Sequence, residues 1–395
     1  MFILMRKRKR TLTMVTAGAI IALPSPLFMA FIFVIIMFLI YNWKFFQTVD
    51  AMPVAYYKES ALATHIMKKC KQLCQPFKPT LWIRNKHIQT LLTPWLSNPQ
   101  VQYEREYLQM RDRGIVSIDW ASIRDRRIRE SNTVFIIIPD VARDATSVSR
   151  LTKHATDRGF RVAVFNRRGH ANSFLTSPKL QGFGDPTDLR QVVKYIRGVY
   201  SRANLVAVAI GTGSGLLLSY LGEYGSSAHL AASVCVSACY EAQELLGKDL
   251  KNIYDFFYLL RQKRALSPHV PVLTGHLDLL SLFNSWTFRD FDERLYCKMY
   301  GHKSIDEYWE RNNPMRDADD IAVPLLCINS LDDPMFPKCN IPYDLFKCYP
   351  NLFLVVTERG GHCGFIENLT TAVSWAECLT IRYIEAVLDA QLKIK

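Results

Sequence analysis

Short runs nearly free of polar residues recur along this chain: Thr133–Ile138, Val162–Phe165, Leu205–Ile210, Leu230–Val236, Val323–Ile328 and Leu352–Thr357. A strand that is apolar on both faces must be covered on both faces, which is the condition of a parallel sheet sandwiched between helices. Stretches with helical apolar spacing fall between these runs, at 147–158, 188–197 and 216–222, and an amphipathic segment at 371–392 closes the chain. This alternation predicts an α/β class domain over 131–392, built on a mostly parallel, doubly wound sheet. Residues 240–315 break the rhythm with helical, aromatic-rich sequence such as Tyr254-Asp-Phe-Phe-Tyr-Leu-Leu260, and are expected to form a cap over the sheet's C-terminal edge. Residues 44–130 are mixed and mostly polar, and are expected to be an extension packed on the core. At 395 residues and 49% hydrophobic content, the chain can bury one large core.

The N-terminus follows other rules. No charged residue occurs from Thr11 to Trp43, and Leu27–Ile40 is apolar on every face, which suits lipid better than a packing surface. Residues 1–43 are therefore expected to be a cytosolic basic flank and a membrane anchor. Pro24 and Pro26 kink the helix, start it, or bend it into a re-entrant hairpin. The apolar stretch is longer than a signal-peptide core and no small-x-small cleavage site follows it. The five cations Arg6–Arg10 directly precede the apolar run, so they read as a solvated membrane flank and not as a nucleic-acid patch. They predict a single-pass protein with its N-terminus in the cytosol and its large domain on the lumenal or outer side, in the endoplasmic reticulum, another endomembrane or the cell surface. Lys58, Lys68, Lys69, Lys71 and Lys78 beyond the span oppose that orientation. A lumenal domain would expose the sequon Asn368-Leu-Thr370. The ten cysteines are scattered and read as small buried residues; Cys70 and Cys74 lack a second ligand pair at zinc-site spacing, so no metal or cofactor is expected.

The chemistry concentrates at strand ends. Leu205–Ile210 runs straight into Gly211-Thr212-Gly213-Ser214-Gly215, the strand-turn-helix setting of the nucleophile elbow G-x-S-x-G. The five elbow positions here read Ala209-Ile210-Gly211-Thr212-Gly213, so the serine position holds Gly211. Asp332-Asp333-Pro334 lies beyond the run ending at Ile328, and His362 lies beyond the run ending at Thr357. The order nucleophile, acid, histidine, each after a strand of one sheet, matches a hydrolytic triad in which the acid orients the imidazole. Ser214 and Thr212 are the alternative hydroxyls. Ser214 lies about 4.5 Å further along a helix axis, and Thr212 is turned about 100° around it.

Beyond these residues, Pro79-Thr-Leu-Trp with His87-Ile-Gln-Thr90, Phe165-Asn-Arg-Arg-Gly169, Gly184-Asp-Pro-Thr-Asp-Leu-Arg190, Tyr220-Leu-Gly-Glu223, Phe291-Asp-Glu293, Asn329-Ser-Leu-Asp-Asp-Pro334 with Ile341-Pro342, and Gly360-Gly-His-Cys-Gly-Phe365 follow one another in order. Over about 79–385 the chain thereby resembles the membrane-anchored α/β-hydrolase-domain proteins that include acylglycerol lipases, and their soluble bacterial YheT-like relatives. The resemblance implies an α/β-hydrolase fold, with Asp333 and His362 in the acid and base positions and Gly211 where those proteins carry serine. Where they resemble His-Gly followed by a small-residue loop that supplies an oxyanion amide, this chain reads Pro139-Asp140-Val-Ala-Arg143. Pro139 has no amide hydrogen, and Asp140 brings negative charge to the place where an oxyanion would form. A pseudoenzyme that binds membrane lipid, an acyl-ester-like ligand or a protein partner is the leading expectation. The alternative is an active carboxylic ester hydrolase on acylglycerol-like substrates, using Ser214 or Thr212 with Asp333 and His362.

Overall fold

The computed structural model describes residues 29–37, 40, 51–80, 83–93, 99–122, 132–241, 243, 253–368 and 374–394. It divides into two units, Met1–Gln47 and Thr48–Lys395. In the first, the described residues are helical, with Phe31, Phe33 and Val34 exposed. No helix among the described residues is long and apolar enough to cross a membrane. Most of the expected anchor, 1–28 and 41–43, lies outside the described residues.

The second unit is built on a nine-stranded sheet. Its strands are β1 (Val54–Tyr57), β2 (Tyr103–Gln109), β3 (Ile115–Ala121), β4 (Thr133–Ile138), β5 (Arg161–Asn166), β6 (Asn204–Ile210), β7 (Ala232–Val236), β8 (Leu325–Ser330) and β9 (Leu352–Thr357), in the order β1-β9-β8-β7-β6-β4-β5-β3-β2. The six strands β4 to β9 pair in parallel, with Ile137 opposite Val208 and Val208 opposite Val234 at the centre. Every residue of β4, β7, β8 and β9 is buried, as strands covered on both faces require. One apolar cluster fills each side of the sheet, around Ile136, Ala207 and Leu217 on one and around Ile137, Val208 and Leu379 on the other.

The polar extension contributes more than packing. It supplies β1, β2 and β3, all paired antiparallel at the two sheet edges. The edge strand β2 exposes Glu104, Arg105, Tyr107 and Gln109 and half-buries Tyr103, Glu106 and Leu108, so it lacks the apolar run by which the central strands are read. Helix α1 (Gly213–Tyr224) follows β6 after the two-residue turn Gly211-Thr212, and its residues 213–222 are all buried. In the 240–315 segment, helix α2 (Ile253–Leu266) carries Tyr258 and Leu259 into a third apolar cluster with Phe288, Tyr308 and Trp309.

Candidate active site

The turn between β6 and α1 decides what can stand there. Gly211 has φ +55°, in the left-handed region that an L side chain enters only under strain. A Cβ built on it would lie 3.2 Å from His362 Nε2 and 3.2 Å from Asp140 Oδ1, so both groups converge on the one residue that has no side chain to meet them.

His362 is held from three directions. Its Nδ1 is 3.0 Å from Asp333 Oδ2, and Asp333 Oδ1 accepts the amides of Met335 at 2.8 Å and Phe336 at 2.9 Å. Its backbone N–H donates to Thr90 Oγ1 at 2.9 Å. Gln89 closes the loop by accepting from Ile366 N and donating to Ile366 O, both at 2.9 Å. Gln89 and Thr90 lie on a short helix, Lys86–Leu92, capped by Asn85, which gives His87-Ile-Gln-Thr90 its place: it props the histidine loop from below. Gly361 (φ +57°) lies so close that a Cβ would fall 2.7 Å from Lys86 O. Burial alone would lower the His362 pKa, but the adjacent Cys363 thiol and the Asp333 carboxylate outweigh it and raise it well above the ordinary imidazole value. Its Nε2 is buried and has no hydrogen-bond partner among the described residues.

Asp140 takes over the amide next to the turn. Its Oδ1 accepts the Thr212 N–H at 3.2 Å and pairs with the Thr212 hydroxyl, while Oδ2 pairs with Arg261 of α2. Burial pushes the Asp140 carboxyl up, yet Arg261 and His362 together hold it below its usual range, so it is an anion at neutral pH. Thr212 Oγ1 also accepts Val141 N–H at 3.0 Å. Ser214 is fully buried, donates to Gly211 O at 2.5 Å and accepts Cys239 N–H at 2.8 Å. Gly211, Asp333 and His362 are thus brought together, whereas the hydroxyls of Ser214 and Thr212 are tied into the backbone around the turn.

Asp140, Arg261 and His362 line an open cleft of about 1200 Å³. Tyr254, Phe257, Tyr258, Arg261 and Arg264 of α2 form one wall, and Phe174 with Leu175 part of another. His87 Nδ1 meets Tyr254 Oη at 2.7 Å, linking the extension to the α2 wall.

The α/β hydrolase fold family matches residues 134–369, which contain the turn, the acid and the histidine. The chain belongs to that family. It is 40% identical over 325 residues to Protein ABHD15 of Homo sapiens, covering 79% of this chain and 69% of that protein. It is 27% identical to Phospholipase ABHD3 of Bos taurus, over 88% of each chain. It is 26% identical to Monoacylglycerol lipase ABHD2 of Homo sapiens, over 85% of this chain and 86% of that protein. This α/β hydrolase therefore sits among lipase-like relatives. Arg261 is a site residue without a signature in the sequence. No local pattern marks it, because its partner Asp140 lies 121 residues earlier and only the folding of α2 over the sheet joins them.

Proposed function

We propose that this α/β hydrolase binds a lipid in its cleft without hydrolysing it. The observation that carries this reading is the Asp140 carboxylate on the Thr212 amide. In an elbow, the N–H after the nucleophile stabilises the oxyanion of the tetrahedral intermediate. Here that donor already serves a fixed anion, and a second negative charge forming beside it would be repelled. Three further features support the reading. Gly211 supplies no nucleophile; no side chain reaches His362 Nε2 from that turn; and Ser214 and Thr212 spend their hydroxyls on the turn. Losing a triad nucleophile costs about 10⁶-fold in turnover, and losing one oxyanion donor about 10²–10³-fold more.

The intact His362–Asp333 hydrogen bond favours a second reading, an active carboxylic ester hydrolase. Hydrolysis of a short acyl ester and of monoolein by the full-length chain separates the two. Wild type is expected at background and Gly211→Ser close to it, whereas Gly211→Ser with Pro139→His and Asp140→Gly should gain at least about 10²-fold, by restoring nucleophile and oxyanion amide together. Robust wild-type hydrolysis lost in Ser214→Ala would establish the enzyme reading instead.

The same proposal places the protein on a membrane through residues 1–43, N-terminus cytosolic. Deletion of 1–43 should release the chain into the carbonate-soluble fraction, and glycan on Asn368 would put the large domain in the lumen. Persistence in the carbonate pellet would refute a single N-terminal anchor.

A further inference from the structure

The cleft floor has an imbalance between donors and acceptors. Asp140 is engaged through both oxygens, by Thr212 and Arg261, and Asp144 through Oδ1, by the Thr146 side chain and the amides of Thr146 and Ser147. The cations are less fully engaged. The Arg143 guanidinium lines the cleft and makes no hydrogen bond or ion pair among the described residues; only its backbone N–H is used, on Asp140 O at 3.1 Å. Arg264 lines the same cleft with no partner for its guanidinium among the described residues. His362 is 7% exposed, and its buried Nε2 faces the Gly211 turn with nothing to bond. Three arginines stand against two aspartates on this lining, which leaves it an excess of positive charge. A buried donor without an acceptor costs about 1–3 kcal/mol, and a guanidinium offers five N–H groups in a fork matched to carboxylate or phosphate.

The remaining lining is apolar. Phe174 and Phe257 line the cleft while 68% and 55% exposed, and Leu175, Val272 and Met335 continue that surface. A ligand that satisfies both halves needs an acceptor-only head and a hydrocarbon tail.

We propose that the cleft is a binding site for a single-chain anionic amphiphile, its carboxylate or phosphate head held by Arg143 and its tail lying against Phe174, Leu175 and Phe257. This rests on the reading of the cleft as a non-hydrolytic lipid site and adds the charge of the ligand to it. The floor anion Asp140 narrows the choice, since with both its oxygens engaged it repels a head placed on the Thr212 amide and leaves the Arg143 side open.

The test uses the full-length chain in amphipol and a photoactivatable diazirine fatty acid, read by peptide mass mapping. Unlabelled oleate, oleoyl phosphate, oleyl alcohol and monoolein are the competitors. Labelling is expected on peptides containing Phe174 or Phe257, with oleate or oleoyl phosphate displacing the probe at concentrations at least tenfold below those of the two neutral lipids. Which anion competes better distinguishes a carboxylate head from a phosphate head. Arg143→Gln should abolish that tenfold preference while leaving competition by oleyl alcohol unchanged, and Arg143→Lys should keep part of it. Equal competition by neutral and anionic lipids, or an unaltered preference in Arg143→Gln, would overturn the anionic head while leaving a lipid site standing. Absence of displaceable labelling would overturn both, and release of oleate from the monoolein arm would overturn only the non-hydrolytic reading.

Discussion

Two buried charge clusters in this protein are built from the same side chains to opposite effect. Under the edge of the sheet, Arg168 is clamped by Asp188, Nε to Oδ2 and Nη2 to Oδ1, both at 2.6 Å, and by Asp112 at 2.5 and 3.0 Å. Its neighbour Arg167 spends its guanidinium on the carbonyls of Gly182 and Phe183. At the Gly211 turn, Arg261 has its aspartate, whereas Arg143 feels Asp140 and Asp144 without a hydrogen bond or ion pair, and His362 Nε2 has no hydrogen-bond partner among the described residues. In the first cluster Arg168 meets two carboxylates and fixes structure, although the buried Nε of Arg167 has no hydrogen-bond partner among the described residues. The second is satisfied only in part, which a protein interior tolerates where something else completes it.

The contrast is sharpest under mutation. Arg168→Met would strand the buried Asp188 carboxylate, whose pKa burial already pushes up against the pull of Arg168, and should cost about 3–5 kcal/mol of stability in chemical denaturation. A loss below about 1 kcal/mol would remove Arg168 from the structural side of the comparison.

Asp140→Asn tests the half-closed pair. Asparagine can still accept from Thr212, but Arg261 loses its counterion with both side chains mostly buried, at 25% and 16% exposure, so about 1–3 kcal/mol is expected. Because Arg261 and His362 hold the folded-state pKa below 3.8, this contribution is present above the unfolded value and disappears on acidification through the lower folded one. The wild-type and Asp140→Asn melting temperatures should therefore converge in strong acid, and a constant gap down to pH 2 would contradict the ion pair.

Asp332 flanks the histidine loop and gives the opposite sign. It accepts from Gly361 N at 2.9 Å through Oδ1, and burial raises its pKa from 3.8 to about 6 against the opposing pull of Gly361 N–H and the Ser330 hydroxyl. A raised carboxyl contributes its stability below the unfolded pKa and loses it as pH rises through the folded one. Asp332→Asn should consequently stabilise the protein by about 1–2 kcal/mol at pH 8, discounted for partial exposure, and by nothing at pH 3. Destabilisation at pH 8 would mean that the carboxylate is needed as a charge.

The smallest effect is expected at the open site. Arg143→Gln should change unliganded stability by less than about 0.5 kcal/mol, since no structural partner is lost. A cost near that of Arg168→Met would erase the distinction between the clusters.

Much of this was legible in the order of residues. Strands buried on both faces need unbroken apolar runs, so β4 to β9 and the helices between them follow from local pattern, and with them the places of Gly211, Asp333 and His362 at strand ends. β1, β2 and β3 were not legible, because an edge strand with one wet face carries polar residues whose pairing depends on the strand beside it. The missing serine could be read from sequence, as could the aspartate at 140, because both are departures from a strand-turn pattern. That Asp140 settles on the Thr212 amide, that Arg261 descends from the cap to neutralise it, and that Arg143 and His362 Nε2 are left unpaired were decided only by tertiary structure. Hydrogen-bond satisfaction is a property of groups brought together from distant parts of the chain, and no local pattern records which of them will be left over.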